Sequence, residues 1–183
     1  GTYLKRCCGK QRGKWISFFI AMSAGETDLA ANQLDDEEKG VKGSKTRRQL
    51  CTASLDHALE HYEHALTVRT RRRVPAAWAE TRHNAGVVLA EKGERDKAVG
   101  YFEQALTVRT QASHPVQWAA TMLSLGQALA GRTHRDRAAR ATDQEAALRY
   151  LNNAREVFEK SKQGTKWAET QVAIAGLYST RVR

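Results

Sequence analysis

The four residues Trp78-Ala79-Glu80-Thr81 return twice further along the chain, with the Trp, the first Ala and the Thr unchanged. The later copies are Trp118-Ala119-Ala120-Thr121 and Trp167-Ala168-Glu169-Thr170, so the copies start 40 and then 49 residues apart. Repetition at a spacing of this size is typical of proteins built from stacked copies of one structural unit. The residues around each copy therefore define the unit, and the unit decides the fold.

Longer segments repeat at the same spacing of 40. The six residues from Ala65 to Thr70 recur unchanged from Ala105 to Thr110, and Pro75 and Pro115 each precede a Trp by three positions. Proline suits the first turn of a helix, where the backbone amide that it lacks would have no partner. Gly93 suits a left-handed residue that ends this helix. The unit therefore begins with a helix of about five turns.

The apolar pattern of the unit predicts two packed helices. The first helix has apolar residues at helical spacing, at Trp78, Ala85, Val88 and Leu89. A second helix follows, with its inward residues predicted at Ala98, Phe102 (or Tyr101), Ala105, Leu106 and Val108. Neither helix alone could bury its apolar stripe. We therefore predict an all-α fold of antiparallel helix hairpins stacked as an α-solenoid, preceded by a non-repeat leader.

Three finer predictions follow from this unit. Small residues are expected where the two helices approach closely, at Gly86, Ala98 and Ala105. Large residues at one equivalent position are expected to fill the space between neighbouring hairpins, namely Tyr62, Phe102 and Leu151. The repeated tryptophans are expected in the core, because recurrence at one repeat position indicates a structural role: Trp78, Trp118 and Trp167.

The spacing Gly86…Ala98…Phe102…Ala105 resembles the small–small–aromatic–small pattern of the tetratricopeptide repeat. The Pro-x-x-Trp-Ala-x-Thr opening resembles the long-period tetratricopeptide arrays found mainly in bacterial proteins. The resemblance covers residues 51–183, as the second helix of a unit (55–68), two complete hairpins and a lone first helix (165–181). The nine extra residues of the second spacing are predicted to form an Arg-rich loop over Gly131–Gln144.

Residues 1–50 differ in character from the repeats and are predicted to be a partly disordered leader and linker. A basic segment precedes the apolar run from Trp15 to Met22, an order that also occurs in export signals. A short helix is predicted over 27–38. The chain has three cysteines, too few and too awkwardly spaced for a disulfide framework, which favours a reducing, cytoplasmic location. Export through the basic-apolar segment remains the alternative.

The sequence offers no positive sign of catalysis. It lacks a nucleophile elbow and a phosphate-binding loop. His57, His61 and His64 share one face of a predicted helix and could in principle hold zinc, copper or nickel. Their counterparts in the next unit are ordinary exposed residues, so a solvated helix face is the favoured interpretation. We therefore predict no enzyme activity, no metal and no cofactor.

The family resemblance implies that the first helices line a concave groove that binds a protein or peptide. Carried over by position, the candidate partner-binding residues are Glu80, His83, Val87 and Glu91, then Ala120, Leu123 and Gln127, then Glu169, Val172 and Ser179. This set is neutral to acidic and suits a helical or extended peptide with apolar anchors. The resemblance also implies a segment of a longer protein.

The alternative function is binding of nucleic acid. The net charge is +10, from 30 basic and 20 acidic side chains. Arginines cluster at 69–73 and at 132–140, where they could clamp phosphates. Interleaved aromatic residues for base stacking are missing, so this function is less favoured. Membrane attachment is not expected, whereas self-association through the exposed final helix is a further alternative.

Overall fold

The computed structural model describes residues 47–134 and 136–181, and the part it describes is helical, without β-strands. The six helices are α1 (Arg47–Val68), α2 (Pro75–Lys92), α3 (Arg95–Leu106), α4 (Pro115–Ala130), α5 (Arg137–Lys160) and α6 (Gly164–Arg181). From α2 onward, each helix packs on the next one along the chain. The predicted all-α repeat fold is confirmed.

The chain divides into two compact units, residues 1–65 and 66–183, and the division falls inside α1. The predicted leader over 1–50 and the predicted helix over 27–38 lie outside the described residues, except that α1 already begins at Arg47. In α1, Ala58 and Tyr62 are buried. The division of the chain at residue 50 stays a prediction.

The ends of α2 follow the chemistry of their residues. Pro75 occupies the first turn, and Gly93 ends the helix with φ at 89°, in the left-handed region. The amide of Gly93 donates to the carbonyl of Ala90 at 3.0 Å, and that of Glu94 donates to the carbonyl of Leu89 at 2.9 Å. These bonds satisfy carbonyls that the end of a helix leaves unpaired. Both predicted helix boundaries are confirmed.

Glycine allows the two helices of each hairpin to touch. A Cβ atom built on Gly86 would lie 2.8 Å from Cε1 of Phe102, and one built on Gly126 would lie 2.8 Å from Cγ of Leu151. Both large side chains are fully buried. The predicted close approach is confirmed, but Phe102 and Leu151 fill the space inside their own hairpins. The prediction that they lie between neighbouring hairpins was wrong, because the missing side chain of glycine creates the space within the hairpin.

The tryptophans are not core residues, which corrects the sequence prediction. Trp78 is only partly buried and Trp167 is 37% exposed, whereas Ala79, next to Trp78, is fully buried. The guanidinium of Arg82 lies 5.6 Å from the centre of the Trp78 ring and 4.6 Å from that of Tyr101. The small Ala is the buried residue of the two, and the partly exposed indole stacks with a cation.

The predicted loop over residues 131–144 was wrong for its second part, because residues 137–144 belong to α5. α5 begins at Arg137, and the carboxylate of Asp136 accepts from the amides of Ala138 and Ala139 at 3.1 and 3.2 Å. An aspartate at this position stabilises a helix start, and the alanines and arginines that follow are good helix formers. The extra residues therefore lengthen α5 at its N-terminal end.

Candidate functional site

Six of the predicted partner-binding residues lie at the surface of the first helices. We call them the first-helix face: Glu80, Val87 and Glu91 on α2, Ala120 and Gln127 on α4, and Glu169 on α6. Val87 is 37% exposed and is the exposed large apolar side chain on α2. Ala120 and Gln127 are partly exposed. Ser179 is exposed as well, and its hydroxyl donates to the carbonyl of Gly176 at 2.8 Å.

The other three predicted residues share one repeat position, five residues after each tryptophan, and they lie elsewhere. Leu123 is 2% exposed and therefore belongs to the core. The ring of His83 lies 5.7 Å from that of Phe102, a residue of the covering helix α3. Val172 is 71% exposed. This position points toward the second helix of the hairpin, so Leu123 and His83 do not belong to an open binding face.

His83 is held in its neutral form. Its Nδ1 atom is buried without a hydrogen-bond partner among the described residues. Burial, with smaller contributions from the positive charges of Arg109 and Lys166, lowers the pKa of His83 to about 3. A protonated imidazole would be desolvated and repelled there. His83 is therefore a partly buried residue that is uncharged at neutral pH.

The first-helix face is acidic at its edges and uncharged in its middle. Its carboxylates belong to α2 and α6. The helix between these two in the chain, α4, has no charged residue. Glu169 pairs with Lys166 at 2.9 Å on the surface. The charge of this face is thus opposite in sign to the net charge of the whole chain. Such a face offers apolar and amide contacts in its centre and carboxylates at its border.

Arginines in the turns before α2 and α4 bind a threonine of the helix that follows, contacts that the sequence analysis missed. Nη1 of Arg69 donates to the hydroxyl of Thr81 at 3.2 Å, and Nη1 of Arg109 donates to Thr121 at the same distance. Each threonine in turn donates to a carbonyl of its own helix, at 2.8 and 2.9 Å. In the third unit Phe158, fully buried, stands where the arginine would be. The exact repeat of Ala65–Thr70 was the signal that could have revealed these contacts.

The predicted arginine clusters are partly engaged in structural contacts. Arg69 binds Thr81, as described above. Arg132 pairs with Asp96 at 2.6 Å and with Asp143 at 3.1 Å, and His134 also contacts Asp143 at 2.6 Å. These pairs fix the segment between α4 and α5. The nucleic-acid alternative therefore loses part of the charge on which it depended.

The three histidines of α1 are exposed. Within the described ranges, no group of three or more His, Cys, Asp or Glu residues is placed to hold a metal ion. None of the helices described is both long and apolar enough to cross a membrane.

The helix pairs, the glycine contacts and the repeated arginine–threonine bonds define a helical repeat protein. Residues 78–113 match the family model of the tetratricopeptide repeat, a match that spans most of α2, all of α3 and most of the turn that follows. The chain therefore contains a tetratricopeptide repeat, the family that the sequence pattern resembled. A search of curated proteins finds no match to the sequence. The long-period bacterial type stays a prediction.

Proposed function

We propose that this chain is a non-catalytic scaffold module that binds a protein or peptide through the first-helix face. The observation that carries the proposal is the exposed Val87, flanked on α2 by the exposed carboxylates of Glu80 and Glu91. Tetratricopeptide repeats are protein-interaction modules in general, which supports the statement that this chain binds a protein or peptide.

The chemistry of this face suits a peptide better than a nucleic acid. A polyanion would meet the exposed carboxylate of Glu80 and would be repelled. An amphipathic peptide could place apolar side chains on Val87 and α4, and could donate hydrogen bonds to the amide of Gln127. Basic residues at its edges would complement the carboxylates.

Site-specific photo-crosslinking in source cells tests the proposal. A photoreactive amino acid replaces Val87 or Gln127 in the full chain, and a matched control carries it at Glu103, an exposed position on α3. We expect protein adducts at Val87 and Gln127 that persist after nuclease treatment, and few at Glu103. Equal adducts at all three positions, or adducts that nuclease removes, would contradict the proposal.

A further inference from the structure

Two arginines share one indole ring in the first hairpin, which consists of α2 and α3. The guanidinium of Arg71, in the turn before α2, lies 6.0 Å from the centre of the Trp78 ring, and that of Arg82 lies 5.6 Å from it. Arg82 also lies 4.6 Å from the centre of the Tyr101 ring on α3. We call these four residues the arginine–indole cluster. Arg71 is exposed and the other three are partly exposed, so the cluster is open to a ligand.

The cluster has two positive charges and no counter-charge among the described residues. Neither Arg71 nor Arg82 forms a salt bridge with a carboxylate of that part of the chain. The acidic residue nearest to Arg82 in the sequence is Glu80, which lies on another side of α2, because two residues turn a helix by roughly 200°. Like charges repel, and a guanidinium without an anionic partner leaves strong donors unused. The cluster therefore favours an anion from outside the hairpin.

The second hairpin, made of α4 and α5, shows that the repeat does not require these charges. At the four equivalent positions it has two uncharged residues and the same two aromatic types: Gln111, Met122, Trp118 and Tyr150. The last three are partly exposed, like their counterparts in the first hairpin. The aromatic pair thus belongs to the repeat, whereas Arg71 and Arg82 are particular to the first hairpin. A structural role common to both hairpins does not explain the two charges.

The aromatic rings prepare Arg82 for binding. A side chain in contact with the rings of Trp78 and Tyr101 loses little further freedom when it binds a ligand. A guanidinium that stacks on rings keeps its in-plane N–H groups for hydrogen bonds. Nε of Arg82 is buried without a hydrogen-bond partner among the described residues, so the terminal nitrogens are the accessible donors. Their fork matches the two oxygens of a carboxylate.

We propose that the arginine–indole cluster binds a carboxylate in an acidic segment of a partner protein. Nucleic acid suits the cluster less, because the rings of Trp78 and Tyr101, which could stack on bases, are already in contact with guanidinium groups. Two cations also neutralise only about two phosphates. Proteins and peptides are the ligands that tetratricopeptide repeats bind in general. The cluster is separate from the first-helix face, so the interaction holds whether or not that face binds a peptide.

A nuclear magnetic resonance titration of the full chain at low salt tests the proposal. The probe is a hexaglutamate peptide with blocked ends, and the matched control is the corresponding hexaglutamine peptide. We expect the indole N–H signal of Trp78 and the Nε–H signal of Arg82 to shift saturably with hexaglutamate. Hexaglutamine should leave both signals in place, because the site requires a carboxylate.

Three variants separate the cluster from the general positive charge of the chain. Arg71→Gln and Arg82→Met introduce the residues that the second hairpin has at these positions. We expect each to weaken the affinity for hexaglutamate by at least roughly tenfold, with an unchanged helical circular dichroism signal. Arg72→Gln removes an exposed charge from the same turn that is not part of the cluster. It should weaken the affinity by less than roughly twofold, because an exposed charge outside the cluster is screened by water and salt.

Four results would overturn the proposal. The first is the absence of any saturable shift with hexaglutamate, and the second is an equal loss of affinity in Arg72→Gln and Arg82→Met, because diffuse charge would then explain the binding. The third is binding that appears only after the acidic run at residues 35–38 is replaced by Asn and Gln, because the chain itself would then supply the occupant. The fourth is an oligodeoxythymidine that binds more tightly than hexaglutamate and loses affinity in Arg82→Met, because nucleic acid would then be the ligand.

Discussion

Acidification should destabilise this fold through one side chain, His83. The imidazole has a pKa of 6.5 in an unfolded chain, and burial lowers the pKa in the folded protein to about 3. Between these two values the unfolded state binds a proton that the folded state does not. The stability that depends on neutral His83 is therefore fully present above pH 6.5 and is lost as the pH falls toward 3.

The size of the effect follows from the difference in proton binding. Each pH unit inside the window lowers the free energy of unfolding by ~1.4 kcal/mol. A pH of 5 lies about 1.5 units below the pKa of His83 in the unfolded chain. At this pH His83 lowers the free energy of unfolding by ~2 kcal/mol relative to pH 7.5. For a domain of ordinary stability this is a large fraction of the total.

Urea unfolding followed by circular dichroism measures the loss. The wild-type chain and His83→Gln are each unfolded at pH 7.5 and at pH 5. The glutamine fills similar space without titrating. We therefore expect the free energy of unfolding of the variant to fall by ~2 kcal/mol less than that of the wild type between pH 7.5 and pH 5. The control is the slope of the free energy of unfolding against urea concentration. Equal slopes for the two proteins show that both expose the same surface on unfolding.

An identical loss in both proteins would refute the argument. It would mean that the folded protein accommodates a protonated imidazole at residue 83, by exposing it or by supplying a partner to Nδ1.

Substitutions at three further sites test the helix packing, a side-chain hydrogen bond and a helix cap. Gly86→Ala brings a Cβ atom 2.8 Å from the Phe102 ring and should lower the free energy of unfolding by ~1–3 kcal/mol, and Gly86→Leu by more. Gly100→Ala on α3 is the matched control, since no atom lies within 4 Å of its Cβ and alanine favours a helix. Arg109→Met should cost ~1–2 kcal/mol in thermal unfolding through the lost bond to Thr121, while Arg72→Met, at an exposed site, should change little. Asp136→Ala should cost ~1 kcal/mol and increase amide exchange at Ala138 and Ala139, and unchanged exchange would contradict its role as a cap.

The fold was predictable because the repeat fixes it at several levels. Pro75 and Gly93 set the limits of α2, and the spacing from Gly86 to Phe102 sets the contact between α2 and α3. These are local rules of backbone geometry and side-chain volume, and they operate within one hairpin. The proline start and the glycine contact occur in both complete hairpins, which makes the architecture clear from one sequence.

The misplaced residues share a physical cause. A helix of 3.6 residues per turn presents several surfaces, and position within the repeat does not by itself show which surface a neighbour covers. Trp78 was assigned to the core because it recurs at one repeat position, although the buried residue there is the smaller Ala79. Leu123 was assigned to a binding face, although it packs in the core. The helical start at Arg137 was missed because arginines in an insertion resemble a loop, and the effect of Asp136 was not considered.

Phe158 stands at the repeat position of Arg69 and Arg109, and this difference gives the contacts between successive units different responses to temperature. The turns before α2 and α4 contribute arginine–threonine hydrogen bonds, whereas before α6 the equivalent repeat position is a fully buried phenylalanine. Apolar contacts weaken on cooling, because the hydration of apolar surface becomes less unfavourable. The last helix should therefore be the part of the array that loosens first in the cold. Units of similar architecture would thus differ in one property, because the contact before α6 is sensitive to low temperature.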